Sequence, residues 1–221
     1  MTQTAQISVS EKPAAKSPVK TTAKEKIIKA ARVLLLDKGY GAVSVEEIVS
    51  AAGVSKGSFY HFFKSKEDLG LAALKDFMEE GGEIMMCGTC GEIADPVTRA
   101  FGFLKHVEAK SEKLWNNGCL MVLFSVDMSG AHPKIRKQTE KILADIHETI
   151  GEVLAPLAKA LEGGVKPSDL THMYVSVIDG SIVYARATGD VGQIAVNLKA
   201  FRTQMETLVK KAWAGRSIFF G

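Results

Sequence analysis

Residues 45–69 read VEEIVSAAGVSKGSFYHFFKSKEDL, and no other stretch restricts the fold as strongly. Ser44 precedes it and Glu47 follows three residues later, the spacing of a capping box, so a helix is predicted from Val45 to Ala51-Ala52. Gly53 can take the positive-φ conformation that closes a helix C-terminus, and Val54 then turns inward. Ser55 is a second N-cap residue and opens a short helix from Lys56 to about Phe62. Ser65, with Asp68 in the first turn, opens a longer one. A helix, a tight glycine turn and a short second helix make a helix-turn-helix. The second helix of that motif normally lies in the DNA major groove, with its N-terminal residues near the base edges.

The order of residues within the motif is more specific than its helix pattern. From Ala52 to Leu69 the chain reads AGVSKGSFYHFFKSKEDL. This resembles the signature of the TetR family of transcriptional regulators, roughly A-G-V-S-x-G-x-[LF]-Y-x-[HYF]-F-x-[SN]-K-x-x-L. Phe62 stands where many members carry His or Tyr. The motif resemblance covers about residues 22–75; beyond them only length and helix layout match. The resemblance implies a transcriptional regulator in which Tyr60 and Lys66 contact phosphates. The residues themselves offer Ser55, Lys56, Gly57, Ser58, Tyr60 and His61 to DNA, with Ser44 a further phosphate candidate. Lys56 could reach a guanine edge or a phosphate. Lys66 also lies in the first turn of its helix, where backbone amides favour an anion. Phe59 and Phe63 are expected to pack the core of this small domain.

Charge supports the reading locally rather than globally. The chain carries a net charge of only +3, but Lys24–Lys66 holds eight Lys and Arg against four acids, an excess of +4. Residues 1–21 mix Thr, Ser, Ala, Pro and Lys without apolar periodicity and are expected to form a disordered tail. Its lysines Lys12, Lys16 and Lys20 either brush phosphates or are simply solvated. Thr22 and Glu25 form a capping box that starts the first helix, which runs to about Lys38. Residues 22–68 are thus expected to form a three-helix DNA-binding domain, leaving 69–221 for a larger helical ligand-binding and dimerisation domain.

Beyond the motif the chain is expected to be all-α, about nine helices in total, since strand alternation appears nowhere. The fourth helix, from about Lys66 to Met86, contains Gly81-Gly82, a point of interruption or kinking. Asp95-Pro96 starts a helix to about Lys113, and Cys119–Met128 is an apolar helix. His132-Pro133 opens a long helix to about Leu161, which Pro156 should kink or shorten. Pro167-Ser168-Asp169 caps the next, to about Thr188. The last, about Gly192 to Trp213, carries Ile194, Leu198, Phe201, Met205, Leu208 and Ala212 at alternating spacings of four and three. That seam, with the helix from Ser168, is expected to pair with a second copy as a four-helix bundle. With 46% hydrophobic residues the chain can bury a sizeable core. No apolar run reaches a membrane span and the N-terminus lacks a signal-peptide core, so a cytoplasmic chain with reduced thiols is expected.

Function in the second domain follows from residue types. Phe101, Phe103, Trp115, Cys119, Met121 and Tyr174 supply aromatic and flexible surface suited either to a small-molecule pocket or to ordinary core. His106, Asp127, Asp179 and Arg186 interrupt apolar stretches and, if buried, each needs a partner. Cys87 and Cys90 form a C-x-x-C with no second pair, so no metal site is expected; a lone pair of thiols is otherwise a redox switch or packing. Gly118-Cys119-Leu120 resembles a stretch in a subset of TetR-like regulators, some of which sense reactive electrophiles, so Cys119 is an alternative sensor. An enzyme using Cys119 with His106 lacks any nucleophile motif, phosphate loop or metal-spaced cluster, and no catalytic residue or cofactor is assigned. A purely architectural DNA-binding protein would not need the large second domain. The expected partners are a palindromic duplex operator, a small-molecule inducer and a second copy of the chain, and no membrane.

Overall fold

The computed structural model describes residues 21–85, 90–127, 132–161 and 165–212, with side chains as far as residue 209. Among the described residues there are nine α-helices and no strand. They are α1 (Ala23–Lys38), α2 (Val45–Ala52), α3 (Lys56–Phe62), α4 (Lys66–Met85), α5 (Pro96–Trp115), α6 (Leu120–Asp127), α7 (Pro133–Ala160), α8 (Pro167–Thr188) and α9 (Gly192–Ala212), with a single 3-10 turn over Cys90–Glu92.

The local signals act as their chemistry requires. Thr22 with Glu25 and Ser44 with Glu47 form complete capping boxes. The Asp95 carboxylate accepts from the Thr98 amide in front of Pro96. Gly53, at φ 64° and ψ 37°, closes α2 in the left-handed conformation. Breaker residues at two places do not break their helices. α4 stays helical through Gly81-Gly82, and α7 runs past Pro156 for one further turn to Ala160. A proline that near the C-terminus removes one amide donor, and apolar packing of Leu154, Leu157 and Ala158 outweighs the loss. The tail to residue 20, Cys87 and the ends of several loops lie outside the described residues.

Two apolar clusters organise the packing. One joins α1–α4 through Ile27, Leu35, Ile48, Phe59 and Leu74, and extends without a break into Leu120 and Phe124 of α6 and Ile135 of α7. The seven residues of α3 are too few to be helical alone; the fully buried Phe59, with Phe63 beside it, fastens α3 to this core. The other cluster packs α5, α7, α8 and α9 around Leu104, Leu154, Ile178 and Leu198. Packing therefore runs across the residue 68/69 boundary. Gly70 of α4 makes the close approach: a Cβ there would sit 3.2 Å from the Tyr40 ring and 3.6 Å from Phe124.

The α9 seam is a correction to the sequence reading. Ile194, Leu198, Phe201 and Met205 are buried inside the chain's own core, against α5 and α8. Apolar spacing reports that a helix face is covered, not which chain covers it. The faces left open are elsewhere: Val196, Ala200, Thr203 and Thr207 on α9, and Met173, Gly180 and Tyr184 on α8.

Candidate nucleic-acid interface and effector cavity

The exposed face of α3 is a compact set. Phe59 points into the core, so Lys56, Gly57, Tyr60, His61 and, just beyond the helix, Lys64 share the opposite side at helical spacing. Tyr60 is 53% exposed and its ring meets Phe59 edge-on at 5.1 Å, which holds it upright on the surface. His61 is exposed beside Phe62, itself 39% exposed. The polar residues named from the sequence divide by what already occupies them. Ser55 Oγ accepts from the Ser58 amide as the α3 cap. Ser44 Oγ donates to Glu47 Oε2 and accepts from the Glu47 amide, so both of its capacities serve the α2 cap.

Half of the eight cations counted in the sequence are engaged within the chain. Arg32 bridges Asp76 and Glu80 of α4, both at 2.6 Å; Lys38 pairs with Glu47 at 3.0 Å; Lys56 pairs with Glu46 of α2 at 2.5 Å. The Lys56 hydrogen bond holds the Glu46 carboxyl below its ordinary range. Lys24, Lys26, Lys29 and Lys64 have no ion pair among the described residues and form the uncompensated positive surface. Lys56 must release Glu46 to reach DNA, a modest cost for an exposed pair.

Lys66 is the residue whose setting differs most from the expectation. Its Nζ donates to the Tyr40 carbonyl at 2.6 Å and lies 4.3 Å from the Tyr40 ring centroid. Desolvation holds its ammonium below the ordinary lysine value. The same burial, aided by Glu67, pushes the Tyr40 phenol up to about 12. Lys66 thus pins the α1–α2 loop to the start of α4, whatever it does to phosphates. Lys66→Ala is expected to lower stability by about 1–2 kcal/mol as well as to weaken binding to all duplexes alike. A melting temperature equal to the unaltered protein's would remove the pinning role.

In the second half of the chain, α4, α5, α7 and α8 enclose a cavity of about 350 Å³. Phe103, Trp115, Cys119 and Met121, four of the six candidates, line it. Phe101 and Tyr174 do not: Phe101 is buried in the α5–α9 cluster, and the Tyr174 ring packs against Phe201 at 5.0 Å. Helix geometry separates them. Phe101 lies two residues and about 200° from Phe103, and Tyr174, one turn before Ile178 at the edge of the α8 face that meets the space, turns to Phe201 and touches Phe103 from behind at 6.5 Å. Unanticipated walls come from α4 and α7, including Phe77, Met78, Gly81, Gly82, Met85 and Ile146. The glycine pair is the signal that could have pointed there, since a Cβ at either would meet nothing within 4 Å.

The four polar residues in apolar stretches resolve individually. Asp127 is exposed. His106 Nε2 donates to the Ile84 carbonyl at 2.9 Å, tying the end of α4 to α5, and it does not line the cavity with Cys119. Arg186, at the end of α8, donates from Nη1 to the Leu36 carbonyl at 2.5 Å and from Nη2 to the Asp37 carbonyl at 3.3 Å. A cation at the α1 C-terminus is well placed against the helix dipole. Gly118, at φ +93°, makes room for it: a Cβ there would sit 3.5 Å from Nη1. Asp179 has no hydrogen bond or ion pair with any described residue, and burial pushes its carboxyl up to about 6. Burial pushes the Cys119 thiol up to about 11, with the Asp179 charge adding to the shift. At neutral pH Cys119 is a thiol, not the reactive thiolate, in this conformation. Among the described residues no group of three His, Cys, Asp or Glu could hold a metal ion, and no helix is long and apolar enough to cross a membrane.

Comparison with known proteins agrees with the motif. The sequence model of the "Bacterial regulatory proteins, tetR family" matches residues 27–73. Over 189 residues the chain is 25% identical to an HTH-type transcriptional regulator in the lacX 3′ region of Lactococcus lactis subsp. lactis, covering 85% of this chain and 95% of that protein. It is 25% identical over 166 residues to the HTH-type transcriptional repressor NemR of Escherichia coli K12, covering 73% and 78%. The crystal structure of regulatory protein TetR from Rhodobacter sphaeroides superposes with a TM-score of 0.67 at 25% identity, over 84% of this chain and 97% of that one.

Proposed function

Because the chain belongs to the TetR family of DNA-binding transcriptional regulators, we propose that it is a homodimeric repressor that leaves a palindromic operator when a small molecule fills the cavity. The observation that carries this reading is the placement of α4. It begins at Lys66, next to α3, and Phe77 to Met85 near its far end form one wall of the cavity. A ligand there pushes on the helix that follows the recognition helix directly in the chain.

Recognition falls to the exposed face of α3. Lys56 and His61 are assigned to base edges or adjacent phosphates, Tyr60 to a phosphate, and Gly57 to close backbone approach. Ser55, Ser58 and Ser44 lie beside them, Ser44 acting mainly through its cap. Dimerisation falls to the open stripes of α8 and α9. These helices are antiparallel neighbours, joined by the Asn197 amide donating to Ser181 Oγ and by the Tyr174–Phe201 ring contact, so the two stripes form one surface. Two half-sites on DNA have a fixed separation, so a change in the spacing of two α3 helices lowers affinity. The ligand achieves release only through tighter binding to the DNA-incompetent state, a coupling of about 1–3 kcal/mol in typical cases. Cys119 as an electrophile sensor is the second reading; it rests on a cavity-facing thiol and requires a conformation that lowers the thiol pKa.

Selection of duplexes from a random library by the purified protein tests the proposal. The recovered sequence is expected to be an inverted repeat bound by two protomers. Recovery of an asymmetric single half-site bound by one protomer would overturn the dimer reading.

A further inference from the structure

The cavity's lining is unusual in its charge rather than its size. Its walls are mainly aromatic, aliphatic and methionine side chains, with the Cys119 thiol, the Thr149 hydroxyl and two carboxylates, Asp179 inside on α8 and Asp145 at the exposed edge on α7. No Lys, Arg or His lies among the lining residues. Asp179 is partly buried and has no partner among the described residues, whereas the half-buried His106 satisfies a backbone carbonyl and Arg202 of α9 pairs with Glu108 at 2.9 Å and Glu206 at 2.6 Å; Tyr174 Oη and His147 Nδ1 are buried without a partner too, but they carry no negative charge and lie outside the cavity lining. The Asp179 oxygens keep some access to solvent, but partial burial without a protein donor disfavours the charged form, which a bound cation would relieve.

We infer that the cavity takes an apolar organic cation, with Asp179 facing its positive group and the Trp115 and Phe103 rings against its body. The inference rests on the effector reading above and names the class of molecule that reading leaves open. Aromatic faces attract cations as well as apolar surface. The three methionines of the lining, Met78, Met85 and Met121, let one cavity fit differently shaped hydrocarbon parts. An organic anion would face two carboxylates with no compensating cation, and a neutral molecule would leave Asp179 with a hydrogen bond at best.

The class implies a pH dependence. The titratable groups that line the cavity with Asp179 are Cys119, from the turn before α6, and Asp145, from α7; neither is cationic. Protonation of Asp179 below pH about 6 removes the charge that selects the ligand, so affinity for a permanently charged ligand should fall as pH drops through that value.

Three probes of nearly equal size separate the possibilities: naphthylmethylammonium, naphthylmethanol and naphthoate, titrated into the full-length protein by calorimetry. The ammonium is expected to bind at least about tenfold more tightly than the alcohol, and the carboxylate more weakly than either. Asp179→Asn should reduce the ammonium-to-alcohol preference to within about twofold, and Asp179→Leu serves as a second variant should the amide disturb folding. Equal or tighter binding of naphthoate, no binding of the ammonium, or an unchanged preference in both variants would overturn the assignment. The same probes are added to the protein–operator complex. Ammonium binding that leaves the operator bound supports the ligand class and overturns the effector reading. Release by the alcohol or naphthoate alone does the reverse.

Discussion

Ala200→Glu is expected to turn the protein into a folded monomer with at least about 100-fold weaker operator binding. Ala200 lies in the middle of the open α9 stripe, between Val196, which is 56% exposed, and Thr203. In a two-fold interface the new carboxylate meets its own mate or buries without a partner, and like charges at close range oppose association. Loss of the dimer removes the second half-site contact, and bivalency is worth about 10²–10⁴ in affinity. The neighbouring Phe201→Glu has a different outcome, because Phe201 is 6% exposed and packs on Tyr174 inside the chain. A charge there disrupts the α5–α8–α9 core and should yield little folded protein. Sedimentation velocity and a melting curve on both variants distinguish the cases. A stable dimer for Ala200→Glu would place the interface on another face.

Arg186→Leu is expected to have the second largest effect, on stability and on the ligand response together. Its guanidinium spans 150 residues of sequence to the Leu36 carbonyl, and losing a charged hydrogen bond to a helix end costs about 1.5–3 kcal/mol. Arg186 also continues the α8 stripe of Val175, Ile178, Asp179 and Ile182 that lines the cavity. α8 therefore gives the cavity a route to α1 that bypasses α4. Arg186→Leu should retain ligand binding but lose most of the ligand-induced fall in operator affinity. Arg186→Lys keeps the charge without the planar fork and should lie between. Full ligand response in Arg186→Leu would assign the transmission to α4 alone.

How legible each feature was in the sequence depends on whether its cause is local. Capping boxes, the Gly53 turn and the Asp95-Pro96 start are decided within four residues, and the helices begin where those residues say. The inward Phe59 and outward Tyr60 follow from helical phase alone. The fate of a cation does not: Lys66 finds the Tyr40 carbonyl 26 residues away, and Lys56 finds Glu46 on the preceding helix. The α9 seam was legible as a covered face, but its cover is α5 and α8 of the same chain, a tertiary fact that spacing does not encode. In the cavity, Phe103 and Phe101 differ only by which side of α5 meets α9. Asp179 was recognisable as a polar residue in an apolar run, and only packing shows that His106 and Arg186 have partners while Asp179 has none.

Sequence-specific DNA binding through α3 is tested most directly by fluorescence anisotropy on the selected duplex. The titration compares that duplex with a scrambled one of equal length over a range of salt concentrations. A preference of about 10³ or more for the selected sequence is expected, with a steep linear fall of log affinity with log salt. Tyr60→Phe should lower both affinities modestly while leaving their ratio unchanged. Equal affinity for the selected and scrambled duplexes would rule out sequence-specific recognition by α3.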